Sequence, residues 1–143
     1  MGKFNVSRLI LGGIIAGIVA DVLGFLVDGV LLAPRWAAGM KALGRPDLGS
    51  SQWIWFNLFG IASGIFLLWL YAAIRPRYGP GPKTAICAGL AVWFIGVLLP
   101  NAGFMWAGGL FSAHLALYTT LGGIVDWVAG ALAGAALYRE ATR

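Results

Sequence analysis

Residues 9–34 read LILGGIIAGIVADVLGFLVDGVLLAP, and this stretch decides the fold. It is longer than the ~20 apolar residues that a helix needs to cross a bilayer. It nevertheless contains Asp21 near its middle and Asp28 seven residues later. Only five acidic residues occur in the chain, and three of them (Asp21, Asp28 and Asp126) lie inside apolar segments. Acids in such positions are the main indication of function.

The composition predicts that lipid is the solvent of this protein. The 143 residues are 60% hydrophobic and 10% charged, with a mean hydropathy of +0.86. Soluble domains carry about 25% charged residues. The net charge of +5 does not indicate a nucleic-acid partner, because the basic residues flank the apolar segments.

Four apolar segments predict an all-α, polytopic membrane protein with a single domain over residues 1–143. They cover residues 9–34, 53–74, 84–106 and 110–138. Backbone polar groups cannot stay unpaired in lipid, so each segment is predicted to be helical. The first is too long for a signal-peptide core of ~7–15 residues, and we expect it to be retained. Residues 35–45 are expected to lie at the outer interface, with Trp36, Met40 and Leu43 facing lipid.

Lysine and arginine predict the orientation. With the N-terminus inside, the cytoplasmic side would hold seven basic residues and the other side three. The seven are Lys3, Arg8, Arg75, Arg77, Lys83, Arg139 and Arg143; the three are Arg35, Lys41 and Arg45, with Asp47 among them. Both termini are therefore predicted to be cytoplasmic.

Two connections contain prolines and glycines. Residues 75–83 read RPRYGPGPK, which predicts a stiff connection without helix. Residues 100–109 read PNAGFMWAGG, which predicts a break in the third helix, with Asn101 as its cap, followed by a tight hairpin.

Small residues at heptad spacing predict a tight, left-handed four-helix bundle. Gly130 and Gly134 also form a GxxxG pair, and a dimer face is the alternative reading of that pair. The glycines expected to pack helices together are Gly17, Gly24, Gly64, Gly89, Gly96, Gly130 and Gly134.

Spacing along the helices predicts two polar layers. Asp21 is 13 residues from Arg8, and Asp126 is 13 residues from Arg139, so both acids should lie ~20 Å from the basic collar. Asn57 and Asn101 are each 18 residues from it, near the depth of Asp28. We therefore expect the face Gly17–Asp21–Gly24–Asp28 to point at the fourth helix.

No basic residue falls at the depth of Asp21 and Asp126. Each acid could hold a proton, form a hydrogen bond to Thr119, Thr120 or a backbone carbonyl, or bind a cation or small polar ligand. As interhelical hydrogen bonds alone they would contribute only ~0.6 kcal/mol each, against an insertion cost of at least ~2.5–3.5 kcal/mol. Asp28 lies closer to water, and Arg35 is its expected structural partner.

Other reactive residues are predicted to be structural. His114 is read as an interfacial histidine, with a haem or pigment ligand as the alternative, and Trp127 as a packing residue that adjoins Asp126. Cys87 is expected to be a small buried hydrophobe. No nucleophile–base pair, zinc spacing or nucleotide fingerprint occurs, so neither an enzyme, a cofactor nor a metal is predicted.

The run LYAAIRPRYGPGPKTAICAGLAVW (residues 70–93) and the closing LYRE (residues 137–140) resemble a group of uncharacterised, small bacterial four-helix integral membrane proteins. That group carries similar YAAIRPRxGPGPKTA segments. The resemblance implies a multi-pass protein of the bacterial inner membrane, and it brings no activity or site residue with it.

Two hypotheses about function follow. The first is a homo-oligomeric membrane protein whose midplane acids handle a proton, a cation or a small polar solute. The alternative is an accessory or assembly subunit of a larger membrane complex, which provides helix packing and contacts to lipid or pigment. A lipid or quinone enzyme with its head-group site at Asp28, Asn57 and Asn101 has no motif in its favour.

Overall fold

The computed structural model describes residues 5–45 and 50–139, and within them the chain is helical without any strand. Four helical runs are long and apolar enough to cross a membrane, which confirms the predicted number and makes this a multi-pass membrane protein by composition. We call them spans 1 to 4: Val6–Leu31, Ser51–Tyr78, Pro82–Ala107 and Ala113–Leu137. The orientation residues Lys3, Asp47 and Arg143, and Glu140 of the LYRE motif, lie outside the described residues.

Span 1 is helix α1 (Val6–Gly24), which continues as a π-helical segment (Phe25–Leu31). Helix α2 (Ala33–Ala42) follows it, and span 2 lies within α3 (Ser50–Tyr78). Span 3 is α4 (Pro82–Trp93), extended by the π-helical segments Phe94–Leu98 and Asn101–Ala107, and span 4 is α5 (Ala113–Leu137). We call the two ends of the bundle the termini end and the α2 end.

All three π-helical segments lie in the half of the bundle that contains α2. The predicted break at Pro100 is wrong, because span 3 stays helical through this residue and on to Ala107. A π-helix shifts the hydrogen bonds to an i→i+5 pattern. Such local adjustments re-pair the backbone groups that a proline frees within a membrane helix.

The connection between spans 2 and 3 is shorter than predicted. Helix α3 includes Pro76 and runs to Tyr78, and α4 begins at Pro82, so residues 79–81 alone are not helical. A proline in the first turn of a helix loses no hydrogen bond. Gly79 and Gly81 have φ angles of +84° and +127°, which favour glycine. Thr84 Oγ1 closes the turn by donating to the Gly79 carbonyl at 2.7 Å.

Span 1 packs against both neighbours through glycine in the termini half. A side-chain carbon at Gly13 would stand 2.5 Å from Ile65 Cα in span 2. One at Gly134 in span 4 would stand 2.5 Å from the Gly12 carbonyl oxygen. The helix backbones therefore touch, and van der Waals packing holds them together in lipid, where the hydrophobic effect does not act between helices.

The predicted packing residues divide into two groups. Gly17 faces Ile61, Gly64 faces Gly13 and Gly17, Gly89 faces Trp127, and Gly130 and Gly134 face Ala16 and Gly12, so the GxxxG pair is used within the chain. A side-chain carbon at Gly96, by contrast, would have no atom of a neighbouring helix within 4 Å, and Gly24 faces a carboxyl group.

Cys87, which was expected to be buried, is exposed on span 3.

Substitution of Gly64 by alanine tests the contact between spans 1 and 2. The new methyl group would collide with the backbone of Gly13 and Gly17, and we expect the free energy of unfolding to fall by about 1–3 kcal/mol. The matched control is Gly96→Ala, which has room for the methyl group and should change that free energy by no more than about 1 kcal/mol. Denaturant titration in micelles measures both. Equal stabilities of the two variants would contradict the contact.

Candidate functional site

Asp126 is the most deeply buried acid among the described residues. Its side chain extends from α5, and the residue is 7% exposed. Its Oδ1 atom is buried, and no described residue donates a hydrogen bond to it. Its Oδ2 atom lies 3.4 Å from the point where a side-chain carbon on Gly24 would stand. The carboxyl group thus lies against span 1, at a position where glycine leaves room for it.

Asp21 lies against a different helix. Its carboxyl group contacts Gly60 of span 2, where any larger residue would overlap it. Gly17, one turn earlier, also faces Gly60. The face Gly17–Asp21–Gly24–Asp28 therefore does not point as a whole at span 4: its first two residues face span 2.

The depths of these two acids differ by less than one turn. Asp126 lies opposite Gly24, which is three residues beyond Asp21 on span 1, or ~4.5 Å along the helix. No described Lys, Arg or His forms an ion pair with either acid. Asp21 and Asp126 share no hydrogen bond, so the structure does not form them into a proton-sharing pair.

Asp28 joins three elements near the α2 end. Its Oδ1 atom accepts hydrogen bonds from Thr119 Oγ1 at 2.8 Å and from Trp36 Nε1 at 3.1 Å. The ring of Trp36 also packs edge-on against Phe111, with the ring centroids 5.1 Å apart. Trp36 therefore faces the bundle and not lipid as predicted, and Asp28 connects span 1 to α2 and to span 4.

Arg35 does not pair with Asp28 as expected. Its guanidinium lies over the ring of Tyr118, 5.0 Å from the centroid, and no ion pair joins it to Asp28. A cation on an aromatic face is stabilised by the quadrupole of the ring. Arg35 thus fixes α2 on span 4 by a second contact, one residue from Thr119.

Asn101 belongs to a separate polar group between spans 3 and 4. It donates a hydrogen bond to Thr120 Oγ1 at 3.0 Å and does not act as a helix cap. Thr120 Oγ1 in turn donates to the Ala116 carbonyl at 2.6 Å. Trp93 Nε1 donates to the Thr120 carbonyl at 2.8 Å. These bonds hold span 3 on span 4 beside the π-helical segments.

Besides Asn101, the structure leaves three further predicted site residues away from the acids. Asn57 is exposed on span 2 and donates to the Trp53 carbonyl of its own helix at 2.8 Å. His114 is exposed beside Tyr118, with ring centroids 6.5 Å apart. Trp127 packs against the larger hydrophobic core cluster.

Trp36 and Gly60 contact the acids and were not among the predicted site residues. Gly60 lies four residues from Gly64, as Asp21 does from Gly17, and this shared spacing is the signal in the sequence that relates Gly60 to Asp21. Trp36 is eight residues from Asp28 across the bend at residue 32, so helical periodicity cannot relate the two.

Two surface grooves are apolar, and none of the acids lines either of them. One, of about 310 Å³, lies between spans 2 and 3 and is lined by Ala62, Ser63, Phe66, Val92, Ile95 and Gly96. The other, of about 400 Å³, is at the α2 end and is lined by Met105, Trp106, Gly109, Phe111, Ala113 and Leu117. Asp21 and Asp126 instead lie in helix–helix contacts, against Gly60 and Gly24 respectively. Comparisons with protein-family models, curated proteins and solved structures find no match to this chain.

Substitution of Asp28 tests its connecting role. Asp28→Ala removes the acceptor for Thr119 and Trp36, and we expect the free energy of unfolding to fall by about 1–3 kcal/mol because two donors lose their partner. Asp28→Asn keeps an oxygen acceptor, so its free energy of unfolding should fall by less than half of the decrease in Asp28→Ala. Denaturant unfolding in micelles checks this, with Asn57→Ala as an exposed control that should stay within about 0.5 kcal/mol. If the free energy of unfolding of Asp28→Ala equals that of Asn57→Ala, the connecting role of Asp28 is contradicted.

Proposed function

We propose that this protein binds and releases a small cation, foremost a proton, at Asp126 within the membrane, with Asp21 as a second acid at nearly the same depth. The observation that carries the proposal is the buried Oδ1 atom of Asp126, which has no donor among the described residues. An unpaired carboxylate in an apolar interior is costly. A bound cation removes that cost.

A proton fits this site better than a metal ion or a polar solute. Calcium takes 6–8 oxygen ligands and magnesium demands an octahedral set. The described residues contain no group of three His, Cys, Asp or Glu that is placed to hold a metal ion. A proton needs one oxygen atom, and the space beside Gly24 suffices for it.

We further propose that the protein is a homo-oligomer of the bacterial inner membrane with both termini in the cytoplasm. The basic residues at the termini end and the resemblance of residues 70–93 support the location and the orientation. The first part of span 2 supports oligomerisation, because residues 51–59 are exposed on every side of the helix.

The left-handed crossing of the helices stays a prediction. The closest glycine contacts recur every four residues, which is the spacing of right-handed GxxxG pairs.

The same exposed part of span 2 favours the second candidate, an accessory subunit of a larger membrane complex. Its surface contains the aromatic residues Trp53, Trp55, Phe56 and Phe59, each at least 39% exposed. Aromatic side chains dominate the energetics of interfaces. Gentle purification from native membranes followed by mass spectrometry separates the candidates, since a stoichiometric partner would favour the accessory subunit.

Substitution of both acids tests the proposal directly. In liposomes that hold a pH-sensitive dye, we expect a potassium diffusion potential to drive proton flux through the wild-type protein. Asp126→Asn should reduce this flux to the level of empty liposomes, and Asp21→Asn should lower it. A hydrophobic carbodiimide, which adds only to protonated carboxyls, should label Asp126 less as the pH rises.

The control for this experiment is Asn57→Ala, at an exposed residue of span 2, which should keep the carbodiimide adduct on Asp126. Mass spectrometry of peptides locates the adduct. Unlabelled Asp126 at every pH, together with equal flux in Asp126→Asn and wild type, would overturn the proposal.

The orientation has its own test. A fluorescent protein that folds only in the cytoplasm should be fluorescent when fused after Arg143 and dark when inserted in the connection between α2 and α3. The reverse pattern would contradict the assignment from basic residues. Moving Lys83 and Arg77 to the α2 end should weaken the preference, because these charges set the topology.

A further inference from the structure

The seam between spans 1 and 4 runs past Asp126 from one end of the bundle to the other. Its contacts differ in kind on the two sides of this acid. Towards the termini end they are Ala16–Gly130 and Gly12–Gly134; towards the α2 end they are Val27–Gly122 and Asp28–Thr119.

On the termini side the seam is closed by backbone. A side-chain carbon at Gly130 would stand 2.6 Å from the Ala16 carbonyl oxygen, and one at Gly12 would stand 2.8 Å from the Gly134 carbonyl oxygen. The side chain of Leu68 of span 2 also packs against Gly12 and Gly134, and it is fully buried. Water can enter from this side only if spans 1 and 4 move apart over several turns, with loss of the packing that holds them.

On the α2 side the first obstacle is one side chain. The Cγ1 methyl of Val27 lies 2.6 Å from the point where a side-chain carbon on Gly122 would stand. Val27 is half-buried, and rotation about a single side-chain bond moves this methyl group. Such rotations occur in picoseconds to nanoseconds for exposed residues, whereas helix displacements are collective and much slower.

Beyond Val27 the seam contains one polar layer, next to the apolar cluster of Leu32, Met105, Leu115 and Ala116. Asp28 and Thr119 share a hydrogen bond, and Trp36 donates to the same carboxyl oxygen. These groups can solvate a water molecule or pass a proton. Val27 and Asp28 both lie on the π-helical segment Phe25–Leu31, and π-helical turns are frequent at functional sites.

We propose that Asp126 exchanges its proton with the α2 side of the membrane through the Asp28–Thr119 layer, and that the side chain of Val27 is the gate. This inference rests on the proposed function, because it requires an exchangeable proton on Asp126. The charged groups that face the path are Asp28 of span 1 and, at its mouth, Arg35 over Tyr118. Asp21 lies on the face of span 1 that packs against span 2. Residues 51–70 of span 2 and 88–107 of span 3 contribute no titratable side chain.

The test follows the carboxyl stretching band of Asp126 by infrared difference spectroscopy after a rapid pH change on one side of sealed vesicles. The band is assigned by its loss in Asp126→Asn. Vesicles are sorted by capture of an affinity tag after Arg143, which gives populations with the termini end outside or inside. A pH change on the α2 side should shift the band at once. A change on the termini side should shift it much more slowly, because exchange with that side requires spans 1 and 4 to move apart.

Val27→Ala should speed the response to an α2-side pH change by on the order of tenfold, as expected if the barrier falls by about 1.4 kcal/mol. Val22→Ala is the matched control, since Val22 lies on the same span and is 55% exposed, and it should leave the rate unchanged. Val27→Thr keeps the shape of valine, admits water, and should also speed the response if Val27→Ala does not fold.

Three results decide the matter. A band that follows the termini-side change as fast as the α2-side change, or Val27 variants with the rate of Val22→Ala, overturns the gate and leaves the proposed function standing. A band that responds to neither side overturns the proposed function itself. A band that follows the α2 side, with faster Val27 variants, supports both.

Discussion

Contact between helix backbones in the termini half of the bundle is the constraint on which the other features depend. Gly13 and Gly17 let span 1 approach span 2, while Gly12 and Ala16 let it approach span 4. Residues 12 and 13 differ by ~100° around the helix, so the two rows of small residues form two separate faces. An acid on span 1 must belong to one face or the other. Asp21 continues the row towards span 2, and Gly24 continues the row towards span 4, where it leaves space for Asp126.

The α2 half of the bundle is held by different means. Spans 1 and 3 become π-helical there, and Gly96 has no packing partner within 4 Å. Hydrogen bonds replace glycine contacts: Asp28 joins α2 to Thr119, and Asn101 joins span 3 to Thr120. Each such bond is modest in a membrane protein, ~0.6 kcal/mol on average. This half can therefore rearrange at lower cost than the glycine-packed half, and the acids lie where the two meet.

The sequence predicted the spans well and the faces poorly, for physical reasons. Hydrophobic length alone identifies a spanning helix, since lipid leaves the backbone no other choice. Facing is harder, because residues seven apart lie within ~20° of each other on an ideal helix, so two rows of four-residue spacing can share members of one heptad stripe. The 22 glycines of the chain fit either pattern. Gly17 and Gly24 thus looked like one stripe, although they face different helices. Pro76 and Pro100 led to wrong predictions of helix ends. A proline usually ends a helix, yet both lie inside helical runs, where neighbouring turns and π-helical hydrogen bonds re-pair the backbone groups.

The two acids consequently have different neighbours, and this distinguishes what each can do. Asp126 is enclosed in the seam between spans 1 and 4, where no described residue pairs with its Oδ1 atom. Asp21 is only partly buried and lies against Gly60, the residue at which span 2 leaves the bundle and its preceding turns become exposed all round. In a homo-oligomer assembled through that exposed part of span 2, Asp21 would lie near the subunit boundary while Asp126 stayed inside one chain. Loss of Asp126 would then disable each subunit separately, whereas loss of Asp21 would also depend on the neighbouring subunit.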